Sequence, residues 1–143
     1  MKIVLDTNVI YSGLAFGGNC LKALDYCFHA NNVELFISTP TIKELSNKLL
    51  SDKFKRYNDR PKENIINFIE QYILESNLIE PKMVVNICSD PKDNIFLELA
   101  LESNAEFIIS GDKDILSSKK EFEKISKCKL LTPKEFLELI SLL

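Results

Sequence analysis

Short apolar runs recur along the chain and indicate its architecture. They lie at residues 2–5, 33–37, 106–109 and 129–131, with a weaker run near 77–80. Runs of this length are typical of strands that are covered on both faces. Between them, apolar residues recur with helical spacing at about 8–15, 19–30, 40–50, 61–75, 92–103 and 133–142. Strands that alternate with helices predict an α/β fold around a mainly parallel sheet.

Three of the predicted helices begin at a capping residue that is followed by proline. The pairs are Thr39-Pro40, Asp90-Pro91 and Thr132-Pro133. Thr and Asp side chains accept hydrogen bonds from the first helical turn, and proline suits the first helical position. We therefore expect Asp90 to serve as a helix cap.

The segment 51–62 interrupts this pattern with five basic residues around two aromatic ones. The basic residues are Lys53, Lys55, Arg56, Arg60 and Lys62, and the aromatic residues are Phe54 and Tyr57. The segment is either a solvated connection between two helices or a rim that contacts phosphate groups. The sequence leaves both interpretations open.

Length and composition fit one compact domain over residues 1–143. Hydrophobic residues make up 45% of the chain and charged residues 27%, as in ordinary globular proteins. The formal net charge of −3 is unusual for a protein that binds nucleic acid, because phosphate binding usually needs a basic surface. A cluster of carboxylates lowers the total charge, however, and a bound metal ion restores positive potential at that place.

The four cysteines and the single histidine offer little chemistry. Cys20, Cys27, Cys88 and Cys128 form no Cys-x-x-Cys pair and are expected to pack in the core. His29 is expected at the surface near a helix end. Since the chain has no secretory leader and no apolar run of membrane length, we expect a cytoplasmic protein that does not bind membranes.

Acidic residues supply the candidate site. Asp6 follows the first strand and Asp112 follows the strand at 106–109, so both carboxylates meet at one sheet edge if these strands are neighbours. Asp93 lies on the apolar stripe of its helix, where a surface charge does not belong. Glu44 fits this edge or an exposed ion pair with Lys48, four residues later. Asp114 either binds metal through water or only shapes its turn.

Such a cluster needs a cation. Two carboxylates about 4 Å apart repel by about 4 kcal/mol at an effective dielectric constant of about 20. Oxygen ligands suit Mg²⁺ or Mn²⁺, whereas zinc would need additional histidine or paired cysteine. A divalent ion can activate water and neutralise a phosphate, which favours metal-assisted phosphodiester hydrolysis.

Other chemistries lack their characteristic residues. A phosphatase with an aspartyl nucleophile is expected to carry Asp-x-Asp after its first strand, where this chain has Asn8. Gly17-Gly18 fits neither glycine-rich nucleotide motif. His29 stands alone and there is no nucleophile elbow, which argues against Ser-His-Asp catalysis.

These residues resemble the PIN domain family over nearly the whole chain. The matching segments are Ile3-Val4-Leu5-Asp6-Thr7-Asn8-Val9-Ile10, Thr41-Ile42-Lys43-Glu44-Leu45, residues 90–100 from Asp90 to Ala100, and Ser110-Gly111-Asp112-Lys113-Asp114. The segment 131–137 resembles the C-terminal signature of a prokaryotic subgroup of toxins from toxin–antitoxin systems. Lys92 and Asn94 depart from a close subgroup pattern, which has more consecutive acids there.

The resemblance implies a three-layer α/β/α sandwich around a parallel sheet of about five strands, and a Mg²⁺- or Mn²⁺-dependent ribonuclease for single-stranded RNA. It implies an acidic quartet with an accessory acid, and two polar residues that position carboxylates or substrate. The quartet is Asp6, Glu44, Asp93 and Asp112, the accessory acid is Asp114, and the polar residues are Asn8 and Ser110. An antitoxin partner and a homodimer are also implied.

The expected activity is therefore an endoribonuclease in which Asp6, Asp93 and Asp112 bind metal and Glu44 orients a ligand or water. Lys53, Lys55 and Arg56 are candidates for contacts with the RNA backbone. Two alternatives stay open at this stage. One is an RNA-processing or DNA-directed nuclease without an antitoxin, and the other is a non-catalytic module that binds RNA or protein.

Overall fold

A five-stranded, all-parallel sheet forms the centre of the computed structural model, which describes residues 1–143. The strands are β1 (Lys2–Leu5), β2 (Glu34–Ile37), β3 (Asn77–Leu78), β4 (Phe107–Ile109) and β5 (Lys129–Leu131). Their order across the sheet is β3-β2-β1-β4-β5. The predicted strands and the parallel α/β fold are confirmed. Because β1 is flanked by β2 and β4, the strand order reverses beside β1, where ligands bind in open α/β sheets.

Nine helices and one short 3₁₀ turn surround the sheet. They are α1 (Thr7–Phe16), α2 (Gly18–His29), α3 (Thr39–Leu49), α4 (Asp52–Lys55), α5 (Lys62–Glu75), the turn Pro91–Asp93, α6 (Asn94–Ser103), α7 (Lys113–Ser117), α8 (Lys119–Ile125) and α9 (Pro133–Ile140). The sequence pattern misses α4, α7 and α8, which are shorter than the two turns that periodicity needs. None of the helices combines the length and apolar character that a membrane crossing requires.

Residues of β1, β2, β4 and β5 alternate between two hydrophobic cores, one on each face of the sheet, whereas both residues of β3 are exposed. Ile3 and Leu5 of β1 lie in the core formed with α1, α2, α3, α5 and α9. Val4 lies in the opposite core, to which Phe96 of α6, Ile115 of α7 and Phe122 of α8 contribute. This two-sided burial confirms the three layers, and it explains why the strands are apolar without alternation.

Two of the three predicted helix caps are confirmed and one is displaced by a residue. Asp90 accepts a hydrogen bond from Lys92 N (3.0 Å), and Thr132 forms a reciprocal capping box with Glu135. At the start of α3 the cap is Ser38, whose hydroxyl accepts from Thr41 N (3.3 Å). Thr39 is therefore the first helical residue, because the Ser38 side chain already accepts the hydrogen bond from the free N–H group of Thr41 in the first turn.

The segment 51–62 is more than a solvated connection. Phe54 of α4 is only 1% exposed and its ring packs edge-on against Tyr11 of α1, with 4.9 Å between centroids. Asn58 is also buried, and its amide donates to Leu14 O (3.1 Å). The segment is thus anchored on α1, while all five of its basic side chains are exposed.

Phe54→Ala is expected to lower the free energy of unfolding by about 3 kcal/mol, because it leaves a cavity in the core beneath α4. Urea denaturation with a structural probe measures this loss. Lys53→Ala is the matched control, since Lys53 belongs to the same helical turn and is exposed. A loss below about 1 kcal/mol for Phe54→Ala would mean that α4 is not packed as described.

The expectations for cysteine and histidine hold. All four cysteines are free thiols, and Cys27, Cys88 and Cys128 are buried while Cys20 is half-buried. His29 is the last residue of α2 and is exposed.

Candidate active site

Parallel pairing of β1 and β4 brings Asp6 beside Ser110. Leu5 is in register with Ile109, and Asp6 N donates to Ile109 O (3.0 Å), so the next residue of each strand lies at the same edge. The Ser110 hydroxyl donates to Asp6 Oδ2 (2.8 Å) and accepts from Asp112 N (3.0 Å). Ser110 is fully buried. It therefore fixes the carboxylate of Asp6 and the backbone of Asp112 together.

Asp112 is held by a second polar residue, Asn8, which lies in the first turn of α1. The amide of Asn8 donates to Asp112 Oδ2 (3.2 Å), while Asp112 Oδ1 caps α7 by accepting from Asp114 N (2.9 Å). Each carboxylate oxygen thus accepts one hydrogen bond and keeps further acceptor capacity. Asp6, Asn8, Ser110 and Asp112 form one connected network, as the strand order predicts.

Glu44 approaches this network from α3. Its side chain is half-buried, and burial is the main reason why the pKa of Glu44 is raised, while Thr7 and Lys48 act in the opposite direction. The charges of Asp112 and Asp90 also raise it. Glu44 forms no ion pair with Lys48, since the one ion pair within 4.0 Å joins Lys129 and Glu123. The interpretation of Glu44 as half of an exposed ion pair is therefore wrong.

Asp93 belongs to a second carboxylate group, which the sequence pattern did not predict. Carboxylate oxygens of Asp90, Asp93 and Asp114 lie within 4.8 Å of one another. Asp93 is buried, and the other two are exposed. Asp90 thus caps the turn, as expected, and also faces the acidic site. The spacing of Asp90 and Asp93 in the sequence is compatible with this grouping, because residues three apart lie on one face of a helical turn.

Electrostatic coupling joins the two groups. Burial, followed by the charges of Asp112, Asp90, Glu44 and Asp114, raises the pKa of Asp93 to about 6. Burial likewise raises the pKa of Asp6 to about 7, with further contributions from Asp112 and Glu44 and a lowering by the hydrogen bond from Ser110. The charges of Asp112 and Glu44 act on both residues and so couple the two groups.

The donor set fits a hard divalent cation. All the converging side chains offer oxygen atoms, and the strongest influences on Asp6 and Asp93 include no basic side chain. The chain itself therefore does not neutralise its buried carboxylates. Mg²⁺ and Mn²⁺ bind such oxygen ligands, and a cation at this place removes the repulsion between them.

Ser110→Ala is expected to weaken Mn²⁺ binding by about 10- to 100-fold, because Asp6 and Asp112 both lose the group that orients them. Isothermal titration calorimetry measures the affinity. Ser103→Ala is the matched control, since Ser103 is another buried serine and its hydroxyl contacts only Ala100 O. Equal affinities in the two variants would show that Ser110 does not position the carboxylates.

The candidate RNA-binding residues are not among the main influences on the pKa of Asp6, Glu44 or Asp93. Lys53 and Lys55 belong to α4 and Arg56 follows it, so they lie beyond the C-terminal end of α3, the helix that carries Glu44. All three are exposed. The structure brings together the six acids but does not place these basic side chains in their group.

Comparison with known proteins gives a consistent family. The sequence profile described as PIN domain matches residues 2–114. An uncharacterised protein of Methanocaldococcus jannaschii is 37% identical over 143 aligned residues, which cover 96% of this chain and 90% of that protein.

Two solved structures have a similar fold. The structure of VapBC-1 from nontypeable Haemophilus influenzae matches 94% of this chain and 99% of its own, with 19% identity and a TM-score of 0.59. The structure of VapBC2 from Rickettsia felis, bound to a DNA fragment from their promoter, matches 92% of this chain and 98% of its own, with 16% identity and a TM-score of 0.57.

Proposed function

The chain belongs to the PIN domain family, and on that premise we propose that it is a metal-dependent endoribonuclease for single-stranded RNA. The observation that carries this proposal is the convergence of six carboxylates beside β1, where the strand order reverses. The family supports a nuclease, and the oxygen-rich donor set supports a divalent ion. The RNA substrate and the identity of the ion, Mg²⁺ or Mn²⁺, are parts of the proposal.

The proposed ligands of the ion are Asp6, Asp93 and Asp112. Asp114 is an accessory acid, and Asp90 joins the set because carboxylate oxygens of Asp90, Asp93 and Asp114 lie within 4.8 Å of one another. A divalent ion held there supplies a water of lowered pKa and neutralises charge on the phosphate. Glu44 orients a ligand or the attacking water from α3.

The remaining polar residues keep this geometry without touching the substrate's reacting atoms. Ser110 holds Asp6, and Asn8 holds Asp112, so the carboxylates need no reorganisation when the phosphate arrives. Lys53, Lys55 and Arg56 contact the RNA backbone outside the acidic site. Their charges attract a polyanion to a chain whose overall charge is negative.

We further propose that the protein is the toxin of a toxin–antitoxin pair, acts in the cytoplasm as one domain over residues 1–143, and forms a homodimer. The likeness to two VapBC structures over nearly their whole length supports this at the level of the fold. An RNA-processing enzyme without an antitoxin has the same site, so the biological role needs its own test.

Purified protein with Mn²⁺ is expected to cleave single-stranded RNA, but neither single-stranded DNA nor duplex RNA. Cleavage of DNA alone would contradict the substrate assignment. Expression in a bacterial host is expected to arrest growth, with relief by co-expression of a neighbouring small gene. Cleavage of RNA without growth arrest would remove the toxin role and leave the nuclease.

A further inference from the structure

Two aromatic side chains form an exposed pair at the far end of α1. Phe16 is 64% exposed and Tyr57 is 47% exposed, although large aromatic side chains usually contribute to the core. Their ring centroids are 4.9 Å apart with an interplanar angle of 61°. An edge-on pair covers one face of one ring only, whereas a stacked pair would cover one face of each ring.

Buried residues on both sides of Tyr57 fix the position of the pair. Phe16 ends α1, and Tyr57 follows α4, whose Phe54 is buried against Tyr11 of α1. Next to Tyr57, the buried Asn58 donates to Leu14 O (3.1 Å) and accepts from Arg60 N (3.0 Å). Anchors on both sides of Tyr57 therefore hold its ring beside Phe16, so that the exposed rings are pre-organised.

The surroundings of the pair are strongly basic. The segment 51–62 has five basic residues and only two acidic ones, in a chain with a net charge of −3. None of these side chains forms an ion pair within 4.0 Å, since the single ion pair lies elsewhere. Exposed aromatic rings among uncompensated cations match the two parts of a single-stranded nucleic acid, its bases and its phosphates.

The helix α1 connects this surface with the acidic site. α1 begins directly after Asp6 and ends at Phe16, so its ten residues separate the two places by about 15 Å. That length corresponds to about four nucleotides at a stacked rise of about 3.4 Å each, or fewer in an extended strand. A short RNA strand is therefore long enough to reach from one place to the other.

We propose that Phe16 and Tyr57 form a base-stacking subsite that binds single-stranded RNA a few nucleotides away from the cleaved phosphodiester. This inference rests on the proposed ribonuclease function and adds how the substrate is held. Bases stack on the two rings, while Lys53, Arg56 and Arg60 contact the adjoining phosphates. The subsite selects unpaired strands, because bases inside a duplex cannot reach the rings.

A second copy of the chain is a poorer occupant of this surface. A two-fold symmetric contact through the Phe16–Tyr57 pair places the basic segment of one copy near that of the other. Like charges across an interface cost free energy, and this segment has few acids to offset them.

The test uses metal-free protein in EDTA, so that binding is measured without cleavage. The ligands are a short single-stranded oligoadenylate and inorganic polyphosphate, which has charge but no bases. The double variant Phe16→Ala/Tyr57→Ala is expected to bind oligoadenylate about 10-fold more weakly or worse, and polyphosphate equally well. Lys53→Gln/Arg56→Gln is expected to weaken binding of both ligands. Unchanged binding of oligoadenylate by the aromatic variant would overturn the proposal.

Fluorescence gives an independent readout, because the chain contains no tryptophan. Oligoadenylate is expected to quench the fluorescence of Tyr57→Trp and not that of Leu74→Trp, an exposed control on α5. Equal quenching in both variants would contradict stacking at Tyr57. A change from dimer to monomer in Phe16→Ala/Tyr57→Ala, measured by analytical ultracentrifugation with no loss of RNA affinity, would assign the pair to self-association instead.

Failure of this subsite and failure of the ribonuclease function are distinguishable. If the wild-type protein cleaves RNA but the aromatic variant has the same KM, the enzyme stands and the subsite is wrong. A raised KM on longer strands, with no change on a dinucleotide too short to reach Phe16, is the expected result.

Discussion

Asp93→Asn is expected to reduce cleavage of single-stranded RNA by more than about a hundredfold. Removing residues that only orient a metal ligand costs about 10- to 100-fold, and Asp93 is itself a proposed ligand. It is also the buried member of the group with Asp90 and Asp114, so no solvent-exposed acid replaces it at the same place. Single-turnover cleavage of a labelled RNA with saturating Mn²⁺ measures the loss.

The control for this variant separates chemistry from folding. Glu102→Gln removes a carboxylate near the C-terminal end of α6, the helix that begins directly after Asp93, and is expected to cleave RNA at the wild-type rate. Asp93→Asn is expected to be at least as stable as the wild type without metal, because it removes a charge that burial disfavours. A variant that retains more than about a tenth of the activity would exclude Asp93 as an essential ligand.

Asp6→Asn is expected to stabilise the metal-free protein, although it destroys the proposed site. Burial raises the pKa of Asp6 from 3.8 to about 7, so folding disfavours its charged form. Below about pH 4 the carboxyl is protonated in both the folded and the unfolded chain, and no penalty applies. As the pH rises from about 4 to about 7 the folded protein loses stability, and above pH 7 the loss is complete at up to about 4 kcal/mol.

Urea denaturation in EDTA at about pH 8 and about pH 4 measures this effect. The gain from Asp6→Asn is expected at the higher pH and should vanish at the lower one. Asp25→Asn, an exposed acid on α2, serves as the control and is expected to give no gain at either pH. A gain of the same size at both values would assign it to packing instead of charge.

Local signals in the sequence predict the strands and the longer helices of the fold. The apolar runs mark the strands because both faces of the sheet are covered, and Asp90 and Thr132 mark helix starts through their own hydrogen bonds. The shortest helices, such as α4, carry no periodic signal. Phe54 is buried through contact with Tyr11, which lies 43 positions earlier in the chain, so its neighbours in sequence do not reveal its burial.

The candidate site was predictable where it follows from topology. Asp6 and Asp112 meet because each follows one of two adjacent parallel strands. Asp90 was missed because its cap already explains an acid at that position, and the second role appears only when α7 brings Asp114 near. For Glu44, spacing alone favours an ion pair with Lys48, and only the packing of α3 on α1, which brings Glu44 to Thr7 and within the influence of Asp112, shows that it faces the acidic site.

Removal of the metal ion tests whether cleavage of RNA depends on a divalent cation. A single-stranded RNA is incubated with purified wild-type protein in EDTA, and then after addition of excess Mg²⁺ or Mn²⁺, beside Asp93→Asn under the same conditions. We expect no cleavage in EDTA, cleavage by the wild type when either ion is restored, and at most about a hundredth of that rate from the variant. Cleavage in EDTA at the rate seen with Mn²⁺ would contradict a metal-dependent ribonuclease.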